Sequence, residues 1–225
     1  MSSPPIPPPG QVRLGDLDRT EPLSRAFGGD RGTPLDRHYI DKVLSGWAGD
    51  IRGRTLEIGE TLYVDRFGGG RVSEAVILDS PQSGNPHATL LADLQTGEGV
   101  PSEAFECVIL TQTLHMIYDV RGVLRTVHRA LRPGGVCLAT VPGIGSIDAH
   151  DGPEKWFWFM TQTAARLLFE ERFRPEDVAI QVHGNVLAGT AFLHGMALEE
   201  LDPARLDEPD PLYPVITGIR AVKAG

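Results

Sequence analysis

Short apolar segments alternate along the chain with longer segments whose apolar residues recur at helical spacing. The short segments predict strands at residues 55–59, 75–79, 89–92, 107–111, 136–141, 178–182 and 215–222. Several of them are continuous runs of Val, Ile and Leu, which is typical of strands covered on both faces of a sheet. The alternation with helices predicts an α/β fold with a doubly wound, mostly parallel, seven-stranded sheet.

Four amphipathic or apolar segments predict the connecting helices, at residues 34–47, 120–131, 161–171 and 186–198. Thr33 is the expected N-cap of the first helix, with Pro34 at its first position. Thr161 or Thr163 is expected to cap the third. The last of the four is markedly apolar, which indicates a core helix or, as the alternative, the interface of a homo-oligomer.

The proline-rich start of the chain predicts a flexible tail over residues 1–30, and residues 31–225 are expected to form one domain. The start lacks the basic and apolar regions of a secretory signal. No apolar run approaches the roughly 20 residues that a membrane span requires. We therefore expect a cytoplasmic protein that does not cross a membrane.

The net charge of the 225-residue chain is −9, and Lys and Arg do not cluster. Both features argue against a nucleic-acid partner. Cys107 and Cys137 fall in predicted buried strands and have no nearby partner in the sequence, so we interpret them as structural thiols in a reducing compartment. So few soft ligands do not predict a metal site.

Three acidic residues interrupt or follow successive strands: Glu57 within 55–59, Asp79 at the end of 75–79, and Asp93 after 89–92. Ligands of open α/β sheets bind beyond the carboxyl ends of the strands, where Gly59 lets the backbone approach a ligand closely. Asp79 follows at the interval typical of an acid that binds ribose hydroxyls. Asp at a strand end is also a common turn former, but the three together favour a nucleoside-bearing, partly cationic ligand.

Four segments in this order carry a family resemblance: LEIG (56–59), ADL (92–94), FECVILTQTLH (105–115) and LRPGGVCLATVP (131–142). They resemble successive motifs of the class I S-adenosylmethionine (SAM)-dependent methyltransferases, over about residues 34–185. The upstream DRHYI (36–40) and the aromatic segment 156–159 resemble small bacterial proteins with this domain, some of which accompany biosynthetic pathways for glycans or secondary metabolites.

The resemblance implies SAM as the cofactor and assigns site residues to its parts. Glu57 and Gly59 would line the methionine moiety, Asp79 would hold the ribose, and Asp93 with Leu94 the adenine. Thr111 and Gln112 would lie under the sulfonium, with His115 a turn further on. Arg37 and Tyr39, on the first helix, are candidates for folding over the cofactor's carboxylate, because Arg pairs well with carboxylates.

One departure concerns the loop after the first strand. The family pattern continues with two further glycines, where this chain has Thr61 and Tyr63. A Cβ at these positions restricts φ and can crowd a cofactor. The alternative function is therefore a degenerate methyltransferase-like domain that binds or scaffolds without catalysis. A NAD-dependent oxidoreductase is disfavoured, because the first turn lacks GxGxxG.

For catalysis, His115 and His150 are the candidate general bases, since imidazole titrates near neutrality. Packing and a solvated loop are the respective alternative interpretations. The aromatic segment WFWF (156–159) is costly to expose, which favours a lid, a core element or an acceptor pocket that includes Trp156 and Trp158. The expected acceptor is a small molecule, a glycan or a peptide, and the acceptor atom stays open.

Overall fold

The computed structural model describes residues 6–148, 150 and 152–225, and within them seven strands form one sheet. In chain order they are β1 Gly53–Ile58, β2 Val72–Asp79, β3 Leu90–Leu91, β4 Phe105–Thr111, β5 Leu131–Pro142, β6 Val178–His183 and β7 Ile216–Val222. The order across the sheet is β3-β2-β1-β4-β5-β7-β6, and only β7 runs antiparallel to its neighbours. The predicted doubly wound, mostly parallel, seven-stranded α/β fold is confirmed.

The helices are α1 Leu35–Gly46, α2 Val120–Ala130, α3 Gln162–Glu170, α4 Val186–Leu193 and α5 Pro203–Leu206. Thr161 caps α3, as expected, by accepting a hydrogen bond from the Ala164 N–H. Thr33 does not cap α1, because its hydroxyl donates to Glu199 instead and the capping position is held by Pro34.

Helix α4 ends earlier than predicted, at Leu193 rather than at residue 198. Gly195 follows with a φ of +65°, a left-handed conformation that glycine adopts without strain. The N–H of Gly195 donates to Phe192, and the N–H of Met196 donates to Ala191. This pair of bonds is a Schellman motif, which satisfies the last carbonyls and stops the helix.

Alternating residues of the central strands pack on the two faces of the sheet. Val108 and Leu110 of β4 belong to the core under α2 and α3, whereas Ile109 packs with Ile40 and Leu44 of α1. All five side chains are fully or almost fully buried. Burial of such side chains stabilises a fold by roughly 1.5–3 kcal/mol each, so both helix layers hold β4, and the residues that follow it, in a fixed place.

The connection from β1 to β2 is unusually short. Residues 59–71 contain a π-helical turn, Val64–Gly68, and a 3₁₀ turn, Gly69–Arg71, where a doubly wound fold usually has a longer helix. Tyr63 lies just before this turn and is 2% exposed, packed in the core beneath α1. Its ring stacks on Phe67 at 6.4 Å, so the aromatic pair fills part of the volume that a longer helix covers.

Part of the segment predicted as a tail packs on the domain. Leu23 donates its N–H to the His194 carbonyl, and Ser24 is 7% exposed. Phe27 stacks between Trp156 and Phe192, at 6.1 and 6.0 Å respectively. The first five residues of the predicted tail lie outside the described residues, as do Ala149 and Asp151.

Among the helices in the described part of the chain, none is both long and apolar enough to span a bilayer.

Candidate active site

Glu57 of β1 organises the loop that follows its strand. Its carboxylate accepts hydrogen bonds from the N–H groups of Tyr63 and Val64, at 3.0 and 2.9 Å. The side chain is 2% exposed, and burial raises its pKa to about 7, against the opposing effect of these two bonds. Glu57 lines neither of the cavities described below, so its direct effect is on the conformation of the loop.

The residues that replace the family glycines do not strain the loop. Among the described residues other than glycine, a positive φ occurs at Phe27, Glu103 and Gln112, and so at neither Thr61 nor Tyr63. The Tyr63 side chain points into the core, where its hydroxyl accepts a hydrogen bond from Arg37 at 2.9 Å. The two replacements are therefore accommodated without backbone strain, and neither residue lines the cavities described below.

Gly59, by contrast, keeps the property that the sequence assigned to it. Its φ is +75°, and a Cβ at this residue would meet no atom within 4 Å. The backbone at the end of β1 is thus exposed to open space, as close approach of a ligand requires.

The larger of two neighbouring cavities, here called the carboxylate cavity, lies beyond β1, β2 and β3. It has a volume of about 570 Å³, and Asp79, Asp93 and Leu94 are among its lining residues. Asp79 accepts hydrogen bonds from the Ser80 N–H at 2.7 Å and from the Asn85 amide at 2.9 Å. The Asn85 amide also donates to the Gly59 carbonyl at 2.7 Å, so it bridges the ends of β1 and β2.

Asp93 has a similar local partner. Its Oδ1 accepts a hydrogen bond from the Gln95 N–H at 2.7 Å, which forms an Asx turn after β3. Thr113, from the loop after β4, lines the same cavity. The walls of this cavity therefore come from the carboxyl ends of successive parallel strands, where ligands bind in open α/β sheets.

The second cavity, here called the aromatic cavity, lies beyond β4, β5 and β7 and has a volume of about 230 Å³. Phe27, Trp156, Phe159 and Phe192 are among its lining residues. Met116 lines both cavities, so it lies at the boundary between them.

Polar side chains from two separate segments of the chain line the aromatic cavity. Asp36 and Arg37 come from the first turn of α1, whereas Gln112 and His115 follow β4. Gln112 has a φ of +47°, an uncommon conformation for a residue with a side chain. Its N–H donates to the Thr140 carbonyl of the adjacent strand at 3.1 Å, and this bond helps to hold the turn.

His115 is the most enclosed of these polar residues, at 2% exposed. Its carbonyl accepts hydrogen bonds from the N–H groups of Phe157 and Trp158, which tie the aromatic segment to the β4 loop. Its ring lies 4.4 Å from that of Trp156. Burial lowers the pKa of His115 to about 4, so the imidazole is neutral at physiological pH.

Three buried polar atoms at the aromatic cavity lack a hydrogen-bond partner within the described part of the chain: Asp36 Oδ1, His115 Nδ1 and Trp156 Nε1. Leaving a buried donor or acceptor unsatisfied costs about 1–3 kcal/mol. Such groups at a cavity wall are suited to a ligand that supplies the missing partners.

Some residues predicted for the site lie elsewhere. The Tyr39 hydroxyl donates to the Leu206 carbonyl in the core behind α1. His150 is exposed, and its N–H donates to Asp148. Trp158 is 39% exposed and stacks on Tyr118 at the surface. Thr111, at the end of β4, lines neither cavity.

Sequence reasoning missed Asp36, Asn85 and Met116. Asp36 was visible in the DRHYI segment, but an acid in the first turn of a helix is ordinary because it complements the helix dipole. Asn85 lies in a polar loop whose conformation has no sequence signature. Met116 lines both cavities, and no local sequence pattern predicts that position.

The sequence model of a methyltransferase domain family matches residues 71–139. This range extends from just before β2 into β5 and includes Asp79, Asp93, Gln112 and His115. No curated protein sequence matches the chain.

Many solved structures share the fold. A SAM-dependent methyltransferase from Archaeoglobus fulgidus has a TM-score of 0.55 and 14% identity, over 83% of this chain and 94% of the other. A SAM-dependent methyltransferase of Thermotoga maritima, a possible histamine N-methyltransferase, has a TM-score of 0.56 and 15% identity, over 89% of this chain and 98% of the other. An N-methyltransferase of Haemonchus contortus was solved with phosphomonomethylethanolamine and S-adenosylhomocysteine. Its TM-score is 0.51 and its identity 13%, over 90% of this chain and 60% of the other.

Residues 71–139 therefore match a methyltransferase domain, and the described residues have the class I SAM-dependent methyltransferase fold. The fold expected from the resemblance is confirmed, and the comparisons support a SAM-dependent methyltransferase with SAM as its cofactor.

Proposed function

We propose that this protein transfers a methyl group from SAM to a small-molecule, sugar or peptide acceptor that enters the aromatic cavity. The observation that carries the proposal is that the two neighbouring cavities share Met116 as a lining residue, in the segment that follows β4. A nucleoside in one cavity and an acceptor in the other would have their reacting ends on either side of this residue. Holding two reactants in contact is the main task of an enzyme whose cofactor is already activated.

The residues of the carboxylate cavity fit the nucleoside half of SAM. Asp79 presents a carboxylate to ribose hydroxyls, and Asn85 and Ser80 keep that carboxylate in place. Leu94 and Ile58 supply apolar surface for the adenine, with Asp93 beside it. Open space at Gly59 leaves room for the cofactor where the backbone must be approached closely.

The aromatic cavity fits a small acceptor group. Trp156 Nε1 can donate a hydrogen bond to an acceptor oxygen, and neutral His115 can accept one from a hydroxyl or an amine. The aromatic cavity has a volume of about 230 Å³, which suits the reacting end of an acceptor. The remainder of a larger sugar or peptide would extend outside the cavity.

Bound SAM supplies a methyl group that is activated by a positively charged sulfur. The protein's own contribution is to orient the acceptor, exclude water and manage the acceptor's proton. The unprotonated imidazole of His115 is available for that proton, because its pKa of about 4 keeps it neutral at physiological pH. The buried position of His115 makes it the stronger candidate for this task than the exposed His150.

Calorimetric titration with SAM and S-adenosylhomocysteine tests the cofactor site. We expect micromolar binding to the wild type and a loss of about 10- to 100-fold on Asp79→Ala, the range for a charge-assisted hydrogen bond. Glu74→Ala is the matched control, because Glu74 lies on the same strand but is exposed and pairs with Arg54. Its affinity should equal that of the wild type.

No binding of either compound to the wild type at millimolar concentration would contradict the proposal and favour a non-catalytic scaffold. Binding that is insensitive to Asp79→Ala would contradict the placement of the nucleoside. Once binding is established, acceptors are screened by following methyl transfer to small amines, sugars and peptides.

A further inference from the structure

Two of the unpartnered polar atoms at the aromatic cavity belong to neighbouring rings. The ring centroids of His115 and Trp156 are 4.4 Å apart, and neither His115 Nδ1 nor Trp156 Nε1 has a hydrogen-bond partner among the described residues. We propose that these two atoms together bind one hydroxyl group, so that the acceptor is an alcohol or a phenol and the methyl group is transferred to oxygen. The inference rests on the proposed function, because it names the acceptor atom of that reaction.

The hydrogen-bonding capacities of the two nitrogens are complementary to those of a hydroxyl group. An indole N–H only donates, whereas a neutral imidazole has one nitrogen that accepts. A hydroxyl group donates one hydrogen bond and accepts two, so it can donate to His115 Nδ1 and accept from Trp156 Nε1 at the same time. One lone pair of its oxygen then remains for the methyl group. This arrangement places the single imidazole proton of His115 on Nε2.

An amine does not meet these requirements. Its protonated form carries only donors, so it cannot accept from Trp156 and has no lone pair for the methyl group. Its neutral form has one lone pair, which a hydrogen bond from Trp156 would occupy. Among the charged lining residues, Asp36 and Asp148 favour a cation and Arg37 opposes one. The two ring nitrogens therefore discriminate between a hydroxyl and an amine more sharply than the charge of the wall does.

The two rings are held in a fixed relation to each other. The His115 carbonyl accepts hydrogen bonds from the N–H groups of Phe157 and Trp158, at 2.9 and 3.3 Å, which tie the segment that carries Trp156 to the loop after β4. The Phe27 ring stacks on Trp156 at 6.1 Å. Groups that are oriented before a ligand arrives lose little conformational entropy when it binds.

The transfer step follows from the same arrangement. The free lone pair of the hydroxyl oxygen forms the C–O bond while the bond between the methyl carbon and sulfur breaks, and the electron pair of that bond stays on sulfur. The hydroxyl proton passes to His115 Nδ1 and from there to solvent. The products are a methyl ether and S-adenosylhomocysteine. Met116, the residue after His115, lines both cavities, so we expect the hydroxyl near the boundary between them.

Three small aromatic molecules of similar size test the site without turnover. Phenol has a hydroxyl group where aniline has an amino group and toluene a methyl group. NMR titration of the protein saturated with S-adenosylhomocysteine measures the three affinities. Phenol should bind at least about 10-fold more tightly than toluene, the effect of two buried hydrogen bonds, and more tightly than aniline. Trp156→Phe should weaken phenol by about 2- to 10-fold and toluene by no more than about twofold.

The matched control is Trp158→Phe. It makes the same change at an exposed indole, which donates to the Ile117 carbonyl at 3.1 Å and does not line the aromatic cavity. Its affinity for phenol should equal that of the wild type. Long-range ¹H–¹⁵N spectra of the phenol complex report which nitrogen of His115 carries the proton, and we expect it on Nε2.

Turnover identifies the acceptor atom directly. Methyl carbons bound to oxygen, nitrogen and sulfur have different ¹³C chemical shifts, so SAM labelled with ¹³C in its methyl group reports the product class in a mixture of alcohols, phenols, amines and thiols. Methyl ethers are the expected products. Trp156→Phe should lower kcat/KM for the hydroxyl acceptor by about 10-fold, at unchanged affinity for S-adenosylhomocysteine.

The outcomes separate the two hypotheses. If the wild type binds neither SAM nor S-adenosylhomocysteine, the proposed function fails. If it binds the cofactor but binds phenol no more tightly than toluene or aniline, the assignment of a hydroxyl acceptor is overturned while the cofactor site stands. An N-methyl product, or a proton on His115 Nδ1, would also overturn it. Equal weakening of phenol and toluene by Trp156→Phe would assign Trp156 to packing and remove its role in binding the hydroxyl.

Discussion

In the carboxylate cavity the acidic side chains of the wall are hydrogen bonded to the protein, whereas the aromatic cavity has three polar atoms that find no partner among residues 6–148, 150 and 152–225. Asp79 is held by Ser80 and Asn85, and Asp93 by the turn that follows it. His115 Nδ1 and Trp156 Nε1 receive no such hydrogen bond from the residues that the structure describes.

The difference indicates two ways in which a fold prepares a binding site. A carboxylate with local donors is fixed in orientation before the ligand arrives, and its lone pairs that remain free select for hydroxyl groups. A buried group without a partner destabilises the folded state by about 1–3 kcal/mol, and binding recovers part of that cost. The first arrangement favours preorganisation, and the second couples stability to the presence of ligand.

The largest expected effect is on the aromatic side. His115→Leu should lower the rate of methyl transfer by about 10²- to 10⁴-fold, the usual contribution of a general base. The affinity for S-adenosylhomocysteine should change little, because the substitution leaves Asp79 and Asp93 in place. Transfer is measured with an acceptor from the screen, under saturating SAM.

His115→Asn is the companion variant, because its amide stands near the place of Nδ1 but is not basic. A rate close to that of His115→Leu indicates proton transfer, whereas a rate near that of the wild type indicates a hydrogen bond. Wild-type turnover in His115→Leu would remove His115 from the mechanism.

The second prediction concerns how the stability of the folded protein depends on pH through His115. Its pKa is about 4 in the folded protein, below the ordinary 6.5, so the unfolded chain binds the proton more readily between these values. The stability due to neutral His115 is therefore present above pH 6.5 and is lost as the pH falls toward 4. The loss amounts to about 3 kcal/mol, from 1.36 kcal/mol per pKa unit.

Chemical denaturation gives the free energy of unfolding of the wild type and of His115→Leu at pH 7.5 and at pH 4. The change between the two pH values is then compared for the two proteins, because the titration of the carboxylates contributes equally to both and cancels. The variant should gain about 3 kcal/mol relative to the wild type on going to pH 4. An unchanged gap would show that the imidazole is not desolvated.

The smallest expected effect concerns the carboxylate cavity, where Asp79 is already hydrogen bonded. Asn85→Ala removes one donor from Asp79 and leaves the carboxylate that faces the ligand. Affinity for S-adenosylhomocysteine should fall by about 2- to 10-fold, equivalent to one ordinary hydrogen bond. A rise in affinity would contradict this view, because it would mean that the Asn85 amide competes with the ribose for Asp79. Thermal denaturation of the same variant checks that the loop change has not unfolded the domain.

Much of the fold was predictable because the apolar residues of buried strands and helices recur in the sequence with the period of the element. The run before Asp79 and the helix at residues 120–131 are examples, and both appear in the structure within a few residues of their expected bounds. The short connection after β1 was not predictable, because its π turn depends on Tyr63 entering the core beneath α1. Local sequence gives no sign of such a tertiary contact.

The site was only partly predictable for a related reason. Asp79 and Asp93 follow strands, so topology alone brings them to one edge. Trp156 and Asp36 reach the aromatic cavity from distant parts of the chain, and no spacing rule connects them to His115. Glu57 looked like a ligand-facing acid, but its partners are the N–H groups of its own loop.

One wall of the aromatic cavity does not belong to the sheet or to any helix. Phe27 lies between Trp156 and Phe192, in the segment that the sequence alone assigns to a tail. A chain that began at residue 31 would keep every strand but would lose the ring that stacks on Trp156 and Phe192. The part of the chain that completes the aromatic cavity therefore starts upstream of the part that forms the sheet.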